Sequence, residues 1–260
     1  MLISSECYLI SFALLGLCIG SFINVVVYRL PIMMNITPAT ETKSNINLLW
    51  PGSACPHCSQ PLSARHLVPV LSWLCQRGRC HSCKHPISAR YPLVELGCTI
   101  LFLLISWHWP TLQIALPLCL FSATLLTLSL IDIDHLLLPD VLTLPLLWCG
   151  LIWNTLYHYV SPPSALFGAV FGYGVLWLIY HLYRLFTQRE GLGYGDFKLL
   201  AALGAWLGVA ALPTIILIAA LLSLIFLILR GKNYHAPLPF GPGLAAAALI
   251  TLLIPIQSII

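Results

Sequence analysis

The sequence predicts an all-α polytopic membrane protein of about eight transmembrane helices, with a small zinc-stabilised cytoplasmic insertion. Three observations predict it. Of the 260 residues, 59% are hydrophobic and 8% charged, where soluble domains carry about 25% charged residues, and the mean hydropathy is +0.93. Apolar runs near the ~20 residues that cross a bilayer recur from end to end. Residues 31–90 are the exception, being polar, proline-punctuated and rich in Cys and His.

The first apolar run, 7–28, precedes the first basic residue, Arg29. A cleavable secretory signal carries its charge ahead of the apolar region, so this run is expected to be a retained helix whose C-terminal end faces the cytoplasm. Further spans are expected at 92–107, 112–131, 139–157, 163–183, 197–211, 213–229 and 242–259. The sixth and seventh form one 33-residue run, "FKLLAALGAWLGVAALPTIILIAALLSLIFLIL". A single helix of that length would measure about 50 Å, against a hydrocarbon core of roughly 30 Å. Pro213 is the expected fold point of a hairpin, because proline interrupts the helical ladder.

Charge tests this count. Alternating sides from Arg29 places 31–91, 132–138, 184–196 and 230–241 in the cytoplasm. All twelve Lys and Arg residues then lie in or beside those segments, and opposite loops such as "WHWPTLQ" and "YHYVSPPS" hold none. Positive residues favour the cytoplasmic side, so eight spans with both termini outside is the economical topology. The implied organisation is a first transmembrane helix (1–30), a tetra-cysteine loop (31–91) and a seven-helix membrane domain (92–260). No basic stripe interleaved with aromatics points to nucleic acid.

The insertion contains "CPHCSQPLSARHLVPVLSWLCQRGRCHSC", residues 55–83. Its two C-x-x-C knuckles, Cys55/Cys58 and Cys80/Cys83, are separated by 21 residues. Each spacer lets a tight turn aim two thiolates at one ion, and two turns complete a structural zinc site. Disulfides are the competing reading, but the basic flanks place the loop in the reducing cytoplasm. His57 and His81 are expected outside the four-sulfur shell, and Cys75 is an odd thiol of packing character. The remaining cysteines fall in or beside apolar spans, where cysteine behaves as a small hydrophobe.

Eight acidic residues remain to be weighed. Glu6, Glu41 and Glu190 belong to solvated surface, and Glu95 is expected to pack or pair near the start of the second span. "IDIDHLLLPD" carries Asp132, Asp134 and Asp140, and "GYGD" carries Asp196, both at cytoplasmic ends of spans. Ionisable groups at membrane depth are costly and usually functional. Two close carboxylates share one proton, and such a pair can activate water and protonate a carbonyl oxygen. Asp140, just after Pro139, is expected to start a helix. Asp132 and Asp134 lie on nearly opposite helix faces, and spacing alone does not choose between them as the partner of Asp196. Gly193 and Gly195 allow either close helix packing or unusual backbone angles and approach of an extended peptide. Lys198 is expected to be an interfacial anchor.

These motifs in this order resemble the prepilin peptidases of bacterial pilus and type II secretion systems. The likeness runs along nearly the whole chain: "GSFINVVVYRLP" (20–31), both knuckles, "ISARYPLVEL" (87–96), "DIDHLLLPDVLTLP" (132–145), "GLGYGDFKLLAALGAWLG" (191–208) and "PFGPGLA" (239–245). The resemblance implies catalytic aspartates at Asp196, in G-x-G-D, and at Asp132, seven residues before Pro139, leaving Asp134 interfacial. It implies a multi-pass enzyme of the bacterial inner membrane, with both termini periplasmic and an active site facing the cytoplasm. Such an enzyme cuts the basic leader from prepilins and pseudopilins. It also implies N-methylation of the new N-terminus from S-adenosylmethionine, because the cysteine insertion marks the bifunctional form. No G-x-G-x-x-G fingerprint occurs, and no residue is assigned to the methyl donor. A presenilin-like protease is disfavoured by the lack of a tyrosine before Asp132 and by the knuckles. A proton-coupled transporter would be favoured by internal repeats, of which none was expected, and an assembly scaffold would not need its aspartates.

Overall fold

The computed structural model describes residues 5–36, 46–188, 193–230 and 239–254. Glu41, Lys43, Arg189, Glu190, Lys232 and residues 255–259 of the expected eighth span lie outside the described residues. The helices are α1 (Ser5–Met33), α2 (Leu71–Cys75), α3 (Arg90–His108), α4 (Leu112–His135), α5 (Asp140–Tyr157), α6 (Pro162–Thr187), α7 (Tyr194–Leu207), α8 (Leu212–Arg230) and α9 (Gly241–Leu253). Among the described residues there is no β-strand, only two isolated bridges. Among the described residues, each run expected to cross overlaps a helix. Five segments are long and apolar enough to do so: Glu6–Met33, Arg90–His108, Leu112–His135, Pro162–Thr187 and Val209–Leu229.

The chain divides into two compact units, Met1–Ala123 and Thr124–Ile260, with the division inside α4. In the first, α1 packs on α3 through two glycines one turn apart. A Cβ on Gly16 would stand 2.7 Å from the Thr99 Cα, and one on Gly20 2.7 Å from the Glu95 Cα. Small residues let membrane helices approach this closely. Around that seam Ile23, Val26, Val27 and Leu30 of α1 and Val94, Cys98, Phe102 and Ile105 of α3 are buried. Arg29 is buried as well, and its guanidinium donates to the carbonyls of Asn47 (2.9 Å) and Pro51 (2.7 Å). The positive charge that marks the end of the first span thus also ties the described entry of the insertion to α1.

In the second unit α7 is the central element. Asp196, Phe197 and every residue from Leu199 to Leu207 are buried, the pattern of a helix surrounded by others. Gly204 meets Gly168 of α6 backbone to backbone, and a Cβ at either position would enter the other's peptide group. The far end of α7 is held by Asn154 of α5, which donates to Ala205 O (2.8 Å) and Trp206 O (3.1 Å). The Trp206 indole in turn donates to Leu146 O at 2.8 Å.

The long apolar run breaks earlier than expected. Gly208, at φ +81°, ends α7, a short 3-10 turn follows at Val209–Ala211, and α8 begins at Leu212. A positive φ is open to glycine at no steric cost, so Gly208 makes the turn. Pro213 sits in the first turn of α8, where its missing N–H leaves no bond unmade.

Substituting Gly204→Ala is expected to cost about 1–3 kcal/mol by forcing α6 and α7 apart. A thermal-unfolding series in detergent should show a lower midpoint. Gly174→Ala, with nothing within 4 Å of the added carbon, should leave the midpoint unchanged or raise it.

Candidate active site and metal centre

Asp132 and Asp196 both belong to the second unit and reach it from different helix ends. Asp132 lies in the last turn of α4, and Leu136, at φ +53°, closes that helix with its N–H on Asp132 O (2.9 Å). Asp196 is the third residue of α7, whose N-cap is Gly193. The two side chains are 5% and 7% exposed, and Asp132 lies within electrostatic reach of Asp196. Asp134 is exposed, on the opposite face of α4.

Each buried carboxylate takes a backbone N–H from the start of a helix. Gly241, the first residue of α9, donates to Asp132 Oδ2 at 3.0 Å. The Asp196 carboxylate reaches back to the Gly193 N–H, the carboxylate half of a capping box. Helix N-termini favour negative charge, so both acids occupy places built for anions.

Leu138, in the link that follows α4, packs against Gly195 of α7 and Gly241 of α9. A Cβ on Gly195 would stand 2.8 Å from Leu138 Cβ, and one on Gly241 would stand 3.1 Å from Leu138 Cδ2 and 2.7 Å from Asp132 Oδ2. Gly195 and Gly241 are therefore glycines for want of room. Gly193 has an ordinary extended backbone, φ −80° and ψ 144°, and is exposed beside Asp196. Neither Gly193 nor Gly195 uses an unusual backbone angle.

Asp140 opens α5 as expected, and it has a partner that spacing did not suggest. Lys198 Nζ contacts both of its carboxylate oxygens at 2.7 Å. The pair is well exposed, at 30% and 53%, and exposed ion pairs contribute about 0–1 kcal/mol. It orients the start of α7 more than it stabilises the fold. Glu95 pairs too, but inward: it is buried and its Oε2 accepts the Val70 N–H at 2.7 Å.

In the first unit, Cys55, Cys58, Cys80 and Cys83 bring their sulfurs within 4.8 Å of one another, and Cys55 and Cys83 are 3.9 Å apart. Four thiolates at ~2.3 Å from one zinc require similar spacing, so these residues fit the ion. Backbone N–H groups of Cys58 and His57 lower the Cys55 thiol to about 6, and those of Cys83 and Ser82 lower Cys80 likewise. Thiolates are thereby favoured at Cys55 and Cys80, as metal binding needs, while burial and the neighbouring sulfurs push Cys83 up to about 11. His57 stacks on His85 and His66 on His81, outside the sulfur cluster. Cys75 ends α2, exposed and outside that cluster.

The two knuckles are one turn used twice. Cys55 N–H bonds Gln60 O and Ser59 N–H bonds Cys55 O; Cys80 N–H bonds His85 O and Lys84 N–H bonds Cys80 O. Ser59 and Lys84 both hold positive φ, and the bridges Ala54–Pro61 and Arg79–Pro86 close the two turns. The sequence signal for this local repeat is C-x-x-C-x-x-P, present at both places. Gly241 carried a weaker signal, the "PFGPG" stretch, which by spacing alone points to no partner.

Residues 14–109 match the Bacterial Peptidase A24 N-terminal domain, and residues 119–228 match the Type IV leader peptidase family. Among similar proteins is a prepilin leader peptidase/N-methyltransferase of Aeromonas salmonicida, 46% identical over 92% of this chain and 88% of its own. Proteins of the same name from Pseudomonas aeruginosa (48%, over 92% and 88%) and Neisseria gonorrhoeae (42%, over 92% and 87%) are also similar. No solved structure matches. With this identity along nearly its whole length, the chain belongs to the type IV leader peptidase family.

Proposed function

We propose that the chain is a membrane aspartic endopeptidase that removes the basic leader of type IV prepilins and pseudopilins and methylates the new N-terminal residue. The buried pair Asp132 and Asp196 carries the reading, each acid held by one backbone N–H at a helix start. Two carboxylates held together cannot both ionise at low cost, so the pair shares a proton. The ionised member takes a proton from water as the oxygen attacks the scissile carbonyl. The protonated member donates to the carbonyl oxygen. Collapse of the tetrahedral intermediate breaks the C–N bond, and the departing amine takes up a proton. The exposed edge at Gly193, beside Asp196, is the approach for the substrate backbone.

We place the protein in the bacterial inner membrane with eight crossings, both termini periplasmic, and the aspartates and the cysteine insertion facing the cytoplasm. Basic residues support this orientation. The four cysteines hold a structural zinc, since four sulfurs leave no open position for water or substrate.

S-adenosylmethionine is the methyl donor that the relatives' name implies. The cleft of about 530 Å³ beside the second knuckle is lined by Arg77, Arg79 and Lys84 among others and by no carboxylate. That lining does not fit a donor carrying a sulfonium cation, and no step is assigned to it.

Asp132→Asn and Asp196→Asn are each expected to lower cleavage at least ~10³-fold, the scale of a lost acid–base group, while Asp134→Asn stays near wild type. Mass analysis of a prepilin after incubation measures this. Leader removal by a well-folded Asp196→Asn protein would refute the mechanism.

Metal analysis of purified protein is expected to give about one zinc per chain, falling toward zero in Cys80→Ser. Orientation is tested with single cysteines labelled by a membrane-impermeant reagent in intact cells. A cysteine in the "YHYVSPPS" loop should react, and one at Arg184 should not.

A further inference from the structure

Val70 adopts φ +59° and ψ −52°, and the Leu71 N–H reaches back to Pro69 O across it. This is the γ-turn of positive φ, the rare and strained kind, and a β-branched residue there is an outlier. Such strain persists only where the surroundings over-determine it. Here the determining contact comes from α3. Glu95 Oε2 accepts the Val70 N–H at 2.7 Å, a charge-assisted bond of the stronger class. Ser21 of α1 lies beside the Glu95 carboxylate.

Both ends of this contact are fixed. Glu95 is 7% exposed, its Cα lies against Gly20, and its carbonyl accepts the Thr99 hydroxyl at 2.7 Å. On the other side, the Val70 carbonyl accepts the Leu74 N–H inside α2. Trp73 of α2 covers Gly78, where an added Cβ would stand 2.9 Å from the ring, and its indole donates to Ile87 O at 3.2 Å. Gly78 and Ile87 flank the second knuckle and bond to each other through Ile87 N–H and Gly78 O. A continuous path therefore runs from the α1–α3 seam through Glu95 and Val70 to the metal centre. A carboxylate in a membrane helix is costly, and packing alone would be met by an apolar residue.

We infer that Glu95 is a positioning residue for methyl transfer: its carboxylate latches the strained Val70 turn and thereby fixes the metal-knuckle module on the α1–α3 pair. The inference rests on the reading of the chain as a bifunctional enzyme with methyl transfer dependent on the cysteine insertion. It predicts that the two activities separate, because Asp132 and Asp196 belong to the other unit.

The test incubates detergent-purified full-length protein with a prepilin and S-adenosylmethionine and weighs the product for leader loss and for an added methyl group. Glu95→Met keeps side-chain volume and removes the acceptor. Its methylation rate is expected to fall on the order of tenfold, the scale of backbone strain of about 1–3 kcal/mol that is no longer held, with cleavage within about twofold and zinc content unchanged. Glu95→Gln keeps an acceptor oxygen and should retain both products. Val70→Gly alone should be near wild type, because glycine adopts positive φ without strain. Combined with Glu95→Met it should restore most of the lost methylation.

Parallel loss of cleavage and methylation in Glu95→Met overturns the inference, as does unchanged methylation or failure of Val70→Gly to rescue. Should Glu95→Met fail to accumulate, Glu95→Gln decides, and loss of methylation there overturns the acceptor role. Wild-type protein that cleaves but never methylates instead refutes the bifunctional reading.

Discussion

A 14-residue helix buried on nearly every side must satisfy both of its ends within the protein. That constraint on α7 organises the second unit. At 1.5 Å per residue it is about 21 Å long, short of the roughly 30 Å hydrocarbon core. Unpaired backbone groups at such depth cost several kcal/mol each. Asn154 meets the need at the C-terminal end by binding the carbonyls of Ala205 and Trp206. Backbone contact between Gly168 and Gly204 then sets the height of α7 against α6. The N-terminal end is left to carry Asp196, whose carboxylate meets the Gly193 N–H. Asp196 sits where it does because a short helix begins there, packed at a fixed height against its neighbours.

The same economy governs Asp132. Its helix ends within a turn of it, and α9 begins by directing the Gly241 N–H at its carboxylate. Only glycine leaves space there, since a Cβ would approach Oδ2 to 2.7 Å. Leu138 fills the places where Gly195 and Gly241 lack side chains. Substituting Gly241 would press on Asp132 directly, and substituting Gly195 would press on Leu138 beside Asp196, without altering either acid itself.

Much of this was legible in the sequence, and the boundary is physical. Apolar runs report what lipid solvates, so the helices were placed to within a few residues. The cysteine spacing reports ligand geometry within one short turn, so the four-sulfur cluster was visible as well. Hydropathy says little about depth, however, and the break between α7 and α8 was assigned to Pro213 where Gly208 makes it. The bond from Gly241 to Asp132 spans 109 positions, and no local pattern encodes it. The choice of Asp132 over Asp134 was open to spacing and came from resemblance; the structure buries the first and exposes the second. Lys198 was assigned to the interface because its partner, Asp140, lies 58 positions away.

Among the described residues three carboxylates are buried, and they are held in different ways. Glu95 accepts the Val70 N–H of a strained turn, with its own backbone fixed by Gly20 and Thr99. Asp132 accepts the Gly241 N–H and Asp196 the Gly193 N–H. An ionised carboxylate offers about four acceptor sites. One backbone bond orients the group and leaves most of that capacity for a water, a proton or a substrate carbonyl. More donors would fix it further and leave less for chemistry. Because all three acids begin from the same costly burial, it is the source of the donor that separates them: a strained turn at Val70 for Glu95, and the starts of α9 and α7 for Asp132 and Asp196.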